Sequence, residues 1–314
     1  MPTRKRPNKN SASLSLLNSI KPLPKDVLRT GFAELRDQKN DQLARKTSML
    51  QKMAKSLGRA QGSSKPDLAN PATARAVEDL LALHQKLASK KLQIPAVPGG
   101  LGGVLAGSIS ARATPPYDFD VSLDTILGEA GQPTLSSSVN KDTGQMSVSA
   151  ISSTDRGFNG GSKYTTVGIY FHPTGPGTLT VTAMPVYSYQ WWTNSLHPYS
   201  SVRSYGEVGL SIYGVDVANQ TTGALNTIIT VAGKVAFQWD QQQAGQVSFD
   251  FGSDLQTSVS ASAYVNHTLI YLLFIEAEAH VEGVGWPGSL AGSKLSVAVP
   301  SISYEFIAQP LLES

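Results

Sequence analysis

Apolar and polar residues alternate most regularly over residues 255–281. The first arm, 255–265, changes character at nearly every step, which is the period of a strand with one buried face. The second arm opens with an unbroken apolar run, 269–275, and then alternates through Glu276, Glu278 and His280. This predicts a central strand, covered on both faces over its first half. If odd positions face a core, Leu255, Val259, Ala261, Ala263 and Val265 join Leu269, Tyr271, Leu273, Ile275, Ala277, Ala279 and Val281. A two-residue hairpin would oppose odd to even positions and turn the apolar faces apart. The parity therefore predicts a three-residue loop, Asn266 to Thr268, with Asn266 tolerating a left-handed conformation. The even face presents Ile270, Leu272 and Phe274 beside Tyr264, too apolar for water. The helical segment or a second subunit should cover it.

Period two recurs at residues 134–139, 145–151, 164–171, 177–190, 205–217, 225–231, 234–240, 246–251 and 294–306. About ten strands, with Gly, Asn and Pro between them and no helical period, predict a mainly β chain: a two-sheet antiparallel sandwich, jelly-roll-like. Upstream the period changes to that of a helix. Over 25–60, Leu28, Phe32, Leu35, Leu43, Leu50, Met53 and Leu57 recur at mostly three-, four- and seven-residue steps among strong helix formers. Residues 61–66 break this pattern, and Asn70-Pro71 opens a second helix to about residue 91, with Val77, Leu80, Leu81, His84 and Leu87 on one stripe. An N-terminal helical hairpin is expected. The resulting division is a basic disordered arm at 1–20, a helical segment at 21–92, a Gly/Pro-rich linker at 93–115 and a β-sandwich domain at 116–314.

Charge sharpens this division. Residues 1–92 hold 19 Lys+Arg against 7 Asp+Glu, a net of +12; the remainder hold 26 − 19 = 7 against 23 − 7 = 16, a net of −9. The two parts are thus suited to meet different partners or each other. The chain of 314 residues has no cysteine, which excludes disulfides, thiolate metal sites and a Cys nucleophile. No run of signal-peptide or transmembrane length is present, so cytoplasmic synthesis is expected, with a particle or virion as one final location.

Candidate chemistry is sparse. Glu276, Glu278, His280 and Glu282 share one strand face, but same-face neighbours stand roughly 6.6 Å apart, so a metal would need ligands from another strand. A solvated acidic face is the plain reading, and a salt-bridging surface for the basic N-terminal part is the more interesting one. No metal or other cofactor is expected. Tyr187, Tyr189, Trp191, Trp192 and Tyr199 cluster along one long strand and beyond it, either sealing a sandwich end or offering a glycan-stacking platform. Gly99 to Gly103 fits neither the dinucleotide nor the P-loop spacing. Around Gly288-Ser289-Leu290 the serine misses the nucleophile position of the elbow motif, and the five histidines lie in no recognisable Ser/His/acid order. The chain is therefore expected not to be an enzyme. Arg4, Lys5, Arg6 and Lys9 form a basic footprint for nucleic acid or another anionic partner.

In broad architecture, a basic arm followed by a single β-sandwich is similar to jelly-roll capsid and other self-assembling shell proteins, although the helical segment is longer than that pattern usually has. The charge asymmetry, the surplus apolar face and the absence of catalytic patterns lead to a non-enzymatic structural or assembly protein that forms homo-oligomers, with Ile270, Leu272, Phe274 and Tyr264 at the interface. A glycan- or ligand-binding module using the aromatic cluster is the alternative, and a membrane-acting toxin, from the long Ser/Thr-rich strands, is a third.

Overall fold

The computed structural model describes residues 28–34, 36, 71–90, 109–127, 132–153, 157–195, 200–216, 228–243, 246–285 and 289–309. Among them the chain is mostly β, with fourteen strands in three antiparallel sheets. The front sheet runs in the order β2 (Phe119–Leu127), β5 (Gly157–Phe171), β12 (Leu269–Gly285), β8 (Ser201–Asp216) and β9 (Ile228–Gln243). The upper back sheet runs β10 (Val247–Gln256), β7 (Val186–Asn194), β13 (Leu290–Ala298), β4 (Gln145–Ser153), β3 (Thr134–Asn140). The lower back sheet runs β1 (Ile109–Ala113), β14 (Ile302–Ala308), β6 (Gly177–Ala183), β11 (Val259–Val265).

The two back sheets are halves of one surface. β6 and β7 follow each other across Met184-Pro185, β13 and β14 across Val299-Pro300-Ser301, and β10 and β11 across Thr257-Ser258. The pairs β7/β13 and β7/β10 above the break become β6/β14 and β6/β11 below it. Proline donates no ladder hydrogen bond, so Pro185 and Pro300 interrupt neighbouring strands at the same level and the sheet breaks there. The front sheet and this broken back sheet enclose one core containing Leu273, Ile275, Ala277, Ala279 and Val281 from β12, Leu295 and Val297 from β13, and Leu179, Val181, Tyr304 and Phe306 from below. The expected two sheets are thus three by hydrogen bonding, and the ten strands fourteen. β1 lies inside the stretch expected as a linker, and 177–190 is split at Pro185.

The organising pair differs from its sequence reading in one respect. β11 and β12 are joined by residues 266–268, as the parity requires, but they do not pair. β11 pairs with β6 at the back, and β12 lies between β5 and β8 at the front. The loop passes from sheet to sheet. Both arrangements demand that odd positions face the core, so parity alone does not separate them. Asn266 is not left-handed; its Oδ1 accepts from the Thr268 backbone N–H (3.0 Å) and hydroxyl (2.5 Å), and its own N–H donates to the Tyr271 hydroxyl (2.9 Å). Leu255 is exposed at the end of β10, not in the core, because a bulge between Gly252 and Leu255, with Asp254 at φ 53, ends that strand's regular alternation.

The outer face of the lower back sheet is a hydroxyl ladder: Thr180 pairs with Ser262 (2.9 Å) and Thr182 with Ser260 (3.0 Å). Tyr264, 60% exposed, stands on this face and not beside Ile270, Leu272 and Phe274.

Two helices are described: α1 (residues 28–34 and 36) and α2 (Pro71–Ser89). They lie on different sheets. Leu28 and Phe32 of α1 pack on the front sheet. The end of α2 meets β13, where the Lys294 ammonium donates to the carbonyls of Leu87 (2.9 Å), Ala88 (2.5 Å) and Lys90 (2.7 Å), the negative end of a helix. The rest of the expected helical hairpin lies outside the described residues, as do residues 1–20 and most of the linker.

The upper back sheet supplies a test of the packing. Trp192 lies flat over Gly292 on the neighbouring strand, where a β-carbon would come within 1.9 Å of the indole. Gly292→Val is expected to lower stability by about 1–3 kcal/mol, as overpacking does. Urea unfolding should show the midpoint falling with an unchanged slope.

Candidate functional site

The outward face of the front sheet divides into an apolar half and a charged half, and α1 joins them. The even positions of β12 face outward. Over the first half these are Ile270, Leu272 and Phe274, which with Phe119, Tyr170, Val215 and Ile228 make a patch that Leu28 and Phe32 complete. The Phe32 ring meets Phe274 edge-on at 5.1 Å, Tyr213 at 5.6 Å and Phe119 at 6.4 Å. Burying Leu28 and Phe32 stabilises the docked helix by about 1.5–3 kcal/mol each. Gly31 lets the helix approach, since a β-carbon there would fall 2.2 Å from Ile228 Cδ1. The three predicted interface residues on β12 are therefore covered within the chain, by the helical segment.

The charged half continues along the same strand. Glu276, Glu278, His280 and Glu282 project outward from β12, and the register sets Glu278 directly opposite Glu207 of β8 and Tyr164 of β5. Like charges directly opposed on a sheet repel, and here both carboxylates are buried. Arg36, one helical turn beyond Phe32, enters this site from α1. Its guanidinium donates to Glu278 Oε2 at 2.5 Å, approaches Glu276 at 3.8 Å and lies 3.7 Å over the Tyr164 ring. Burial by itself would lower the guanidinium's pKa, but Glu278, Tyr164 and Glu276 outweigh it, and the net shift is upward. Burial, then Glu276, raises the Tyr164 hydroxyl pKa well above its usual value, so it remains a neutral donor. Burial, then Glu207, likewise raises Tyr205, whose hydroxyl donates to Glu207. Ser211 donates to Glu276 (2.9 Å). The acidic row thus meets a cation from the basic N-terminal part.

Further along, the structure assembles a chain that the sequence reading missed. His280 Nδ1 is 2.7 Å from Ser162 Oγ, and His280 Nε2 is 2.8 Å from Glu282 Oε1. A carboxylate accepts only, so Nε2 carries the proton; in the neutral ring Nδ1 then accepts from the Ser162 hydroxyl. Ser162, 118 residues from His280 in sequence, comes into place through the β5/β12 register. All three side chains are buried. Arg203 approaches Glu282 at 3.8 Å and holds Asp240 by two hydrogen bonds (2.7 and 2.8 Å). Chemically the chain polarises the serine hydroxyl, but the hydroxyl is buried, with Ser162 only 4% exposed. No set of three or more potential ligands converges as a metal site among the described residues.

The aromatic cluster is dispersed by strand parity. Tyr187, Tyr189 and Trp191 point into the sandwich, where Tyr187 stacks on Phe237 (4.6 Å) and Tyr189 on Trp239 (5.4 Å). Trp192 points the other way and is fully buried, with the Lys294 ammonium 5.7 Å from its ring. Tyr199 and the basic residues Arg4, Lys5, Arg6 and Lys9 lie outside the described residues. On β10, by contrast, Phe249 and Phe251 are 57% and 62% exposed. The alternation at 246–251 is visible in the sequence; that its odd positions face solvent follows only from the register with β7.

No family model matches the chain, and no curated protein matches it. A family 11 carbohydrate-binding module of a cellulosomal cellulase of Clostridium thermocellum aligns at 11% identity and TM-score 0.18, covering 71% of this chain and 97% of the module. A chain of infectious bursal disease virus, Gx strain, aligns at 11% identity and TM-score 0.14, covering 69% of this chain and 48% of the viral one. Likenesses this slight carry no argument.

The Arg36 site can be tested by a double-mutant cycle. Arg36→Met strands Glu278 and should cost about 3–5 kcal/mol, and Glu278→Leu strands Arg36 similarly. The double variant is expected to be less destabilised than the sum, because apolar replacement of both partners removes the buried charge. Urea midpoints of the four proteins measure the coupling, and additive losses would show the pair to be independent.

Proposed function

We propose that this chain is a non-enzymatic structural protein. Its jelly-roll-like sandwich associates with copies of itself, and its basic N-terminal segment, including Arg4, Lys5, Arg6 and Lys9, engages an anionic partner or a neighbouring subunit. The observation that carries this reading is strand β10. It forms the edge of the upper back sheet, so one side of its backbone has no ladder partner among the described residues, and it presents Val247, Phe249 and Phe251 to solvent on one face. Edge strands normally carry charge, proline or a bulge that discourages pairing. On β10 the bulge lies beyond Gly252, and Asp250 is the only charge among the first five residues. An apolar edge of this kind is suited to burial against another subunit. Ile270, Leu272 and Phe274 are already occupied by α1, so self-association is assigned to the exposed apolar row of β10.

Glycan binding through Tyr187, Tyr189, Trp191, Trp192 and Tyr199 is the weaker reading, since the two tryptophans are buried and the two tyrosines stack on core aromatics. The opposite charges of the N-terminal part and the sandwich support contacts between copies as well as within one.

Light scattering on the full chain is expected to show a defined oligomer at micromolar concentration. Phe249→Ser with Phe251→Ser should reduce its mass while leaving the far-ultraviolet circular dichroism unchanged. A wild-type protein that stays monomeric at high concentration would remove the assembly reading.

A further inference from the structure

We propose that β10 pairs antiparallel with β10 of a second copy, about a two-fold axis at Phe249, so that two upper back sheets join edge to edge. This rests on the assembly reading and specifies which element of the neighbour meets β10, and in what register.

The direction of one N–H identifies the open side of the strand. The Phe251 N–H donates to Asp250 Oδ1 (2.8 Å), so it points away from β7. In an antiparallel ladder alternate residues turn their N–H and C=O to the same side, and Val247 and Phe249 therefore offer theirs outward too. Among the described residues no strand lies on that side. The side chains of the same three residues share the outer face of the sheet, where Phe249 stands level with Trp192. Phe251 stays exposed there with the Lys90 ammonium 5.1 Å from its ring. The bulge after Gly252 ends regular pairing, so the open segment runs from Val247 to Phe251.

This segment reads apolar, polar, apolar, polar, apolar in either direction. With the axis at Phe249, Phe249 faces its own counterpart, Phe251 faces Val247 of the second copy, and Asp250 faces Ser248 of the second copy. Each of the three apolar pairs then exchanges two N–H···O=C bonds. An axis at Asp250 would oppose two carboxylates, which repel. An axis at Ser248 would set Phe251 opposite residue 245, outside the strand. An axis between residues would set outward groups against groups already turned to β7.

Asp250 guards the edge in the single chain. Its Oδ1 holds the Phe251 N–H, and its Oδ2 accepts from the Tyr189 hydroxyl (2.9 Å). Pairing replaces the first bond with one from the Phe251 N–H to the Val247 carbonyl of the second copy. The released oxygen meets the opposed Ser248, whose hydroxyl accepts from Gln243 Nε2 (2.7 Å) and keeps its own proton to donate. An edge without a hydroxyl opposite Asp250 would not complete this exchange, which favours β10 itself as the partner strand.

The full chain has no cysteine, so single introduced thiols report the register. At the axis the two Cα atoms of residue 249 stand about 5.5 Å apart, within the disulfide span of about 4.4–6.8 Å. Residues 247 and 251 each lie roughly 13 Å or more from their own counterparts. After oxidation, a non-reducing denaturing gel should show covalent dimers for Phe249→Cys and for a mixture of Val247→Cys with Phe251→Cys chains, but not for either of the last two alone. A wild-type oligomer by light scattering whose Phe249→Cys chains cross-link no more than Val247→Cys chains overturns the strand pairing and leaves assembly standing. A monomeric wild type overturns both. Val247→Pro keeps both phenylalanines and removes only an outward N–H, a loss an edge strand tolerates. With an unchanged urea midpoint, its oligomer mass should fall below that of Val247→Ala; equal masses count against the ladder.

Discussion

Two carboxylates held face to face across a strand pair, away from water, set the terms for the outer half of this molecule. Glu278 on β12 and Glu207 on β8 cannot be left as they are. Removing ions from water costs several kcal/mol each after relaxation, and their mutual repulsion grows as the medium becomes less polar. A charge that meets Glu278 comes from Arg36, a residue 242 positions away that arrives on a separate helix. The helix is positioned by Leu28 and Phe32, and the charge it brings neutralises the surface those residues lie beside. Apolar burial supplies most of the attraction, and the ion pair fixes where along the strand the helix settles.

β12 concentrates these demands because its two faces serve different neighbours. Odd positions remain apolar for all of its length and build the sandwich core. Even positions change from apolar to acidic at Glu276. The changeover coincides with the step from Phe32 to Arg36 on α1, a single turn, so strand and helix change polarity at the same level. A longer apolar run on either element would leave a charge against hydrocarbon.

Much of this is legible in the sequence. Period two beyond residue 116 marks the β domain, the parity of 255–281 marks the core face, and the surplus apolar face of β12 together with the acidic row points to a covering layer of opposite charge. What was not legible required partners distant in sequence. The parity of β11 and β12 is the same for a hairpin and for a crossing between facing sheets, so the local pattern gave the loop length without the pairing. Strand breaks at Pro185 and Pro300 become meaningful only when β6/β7 and β13/β14 are seen side by side. Trp191 and Trp192 look equivalent in sequence, but adjacent strand residues point to opposite faces, and each is buried by a different layer. Ser162 gave no signal: a serine after two glycines is unremarkable until the register brings His280 beside it.

The hydroxyl ladder on the lower back sheet stands apart from all this. Thr180 and Thr182 satisfy their hydroxyls with Ser262 and Ser260, and neither row carries an ionisable group at its centre. The two rows meet water through neutral hydroxyls, whereas the Arg36 face is built on buried charge that a helix covers. The two outer faces of the sandwich therefore differ in kind: one is finished by side chains that satisfy each other across neighbouring strands, and the other is finished only when a separate element lies down on it.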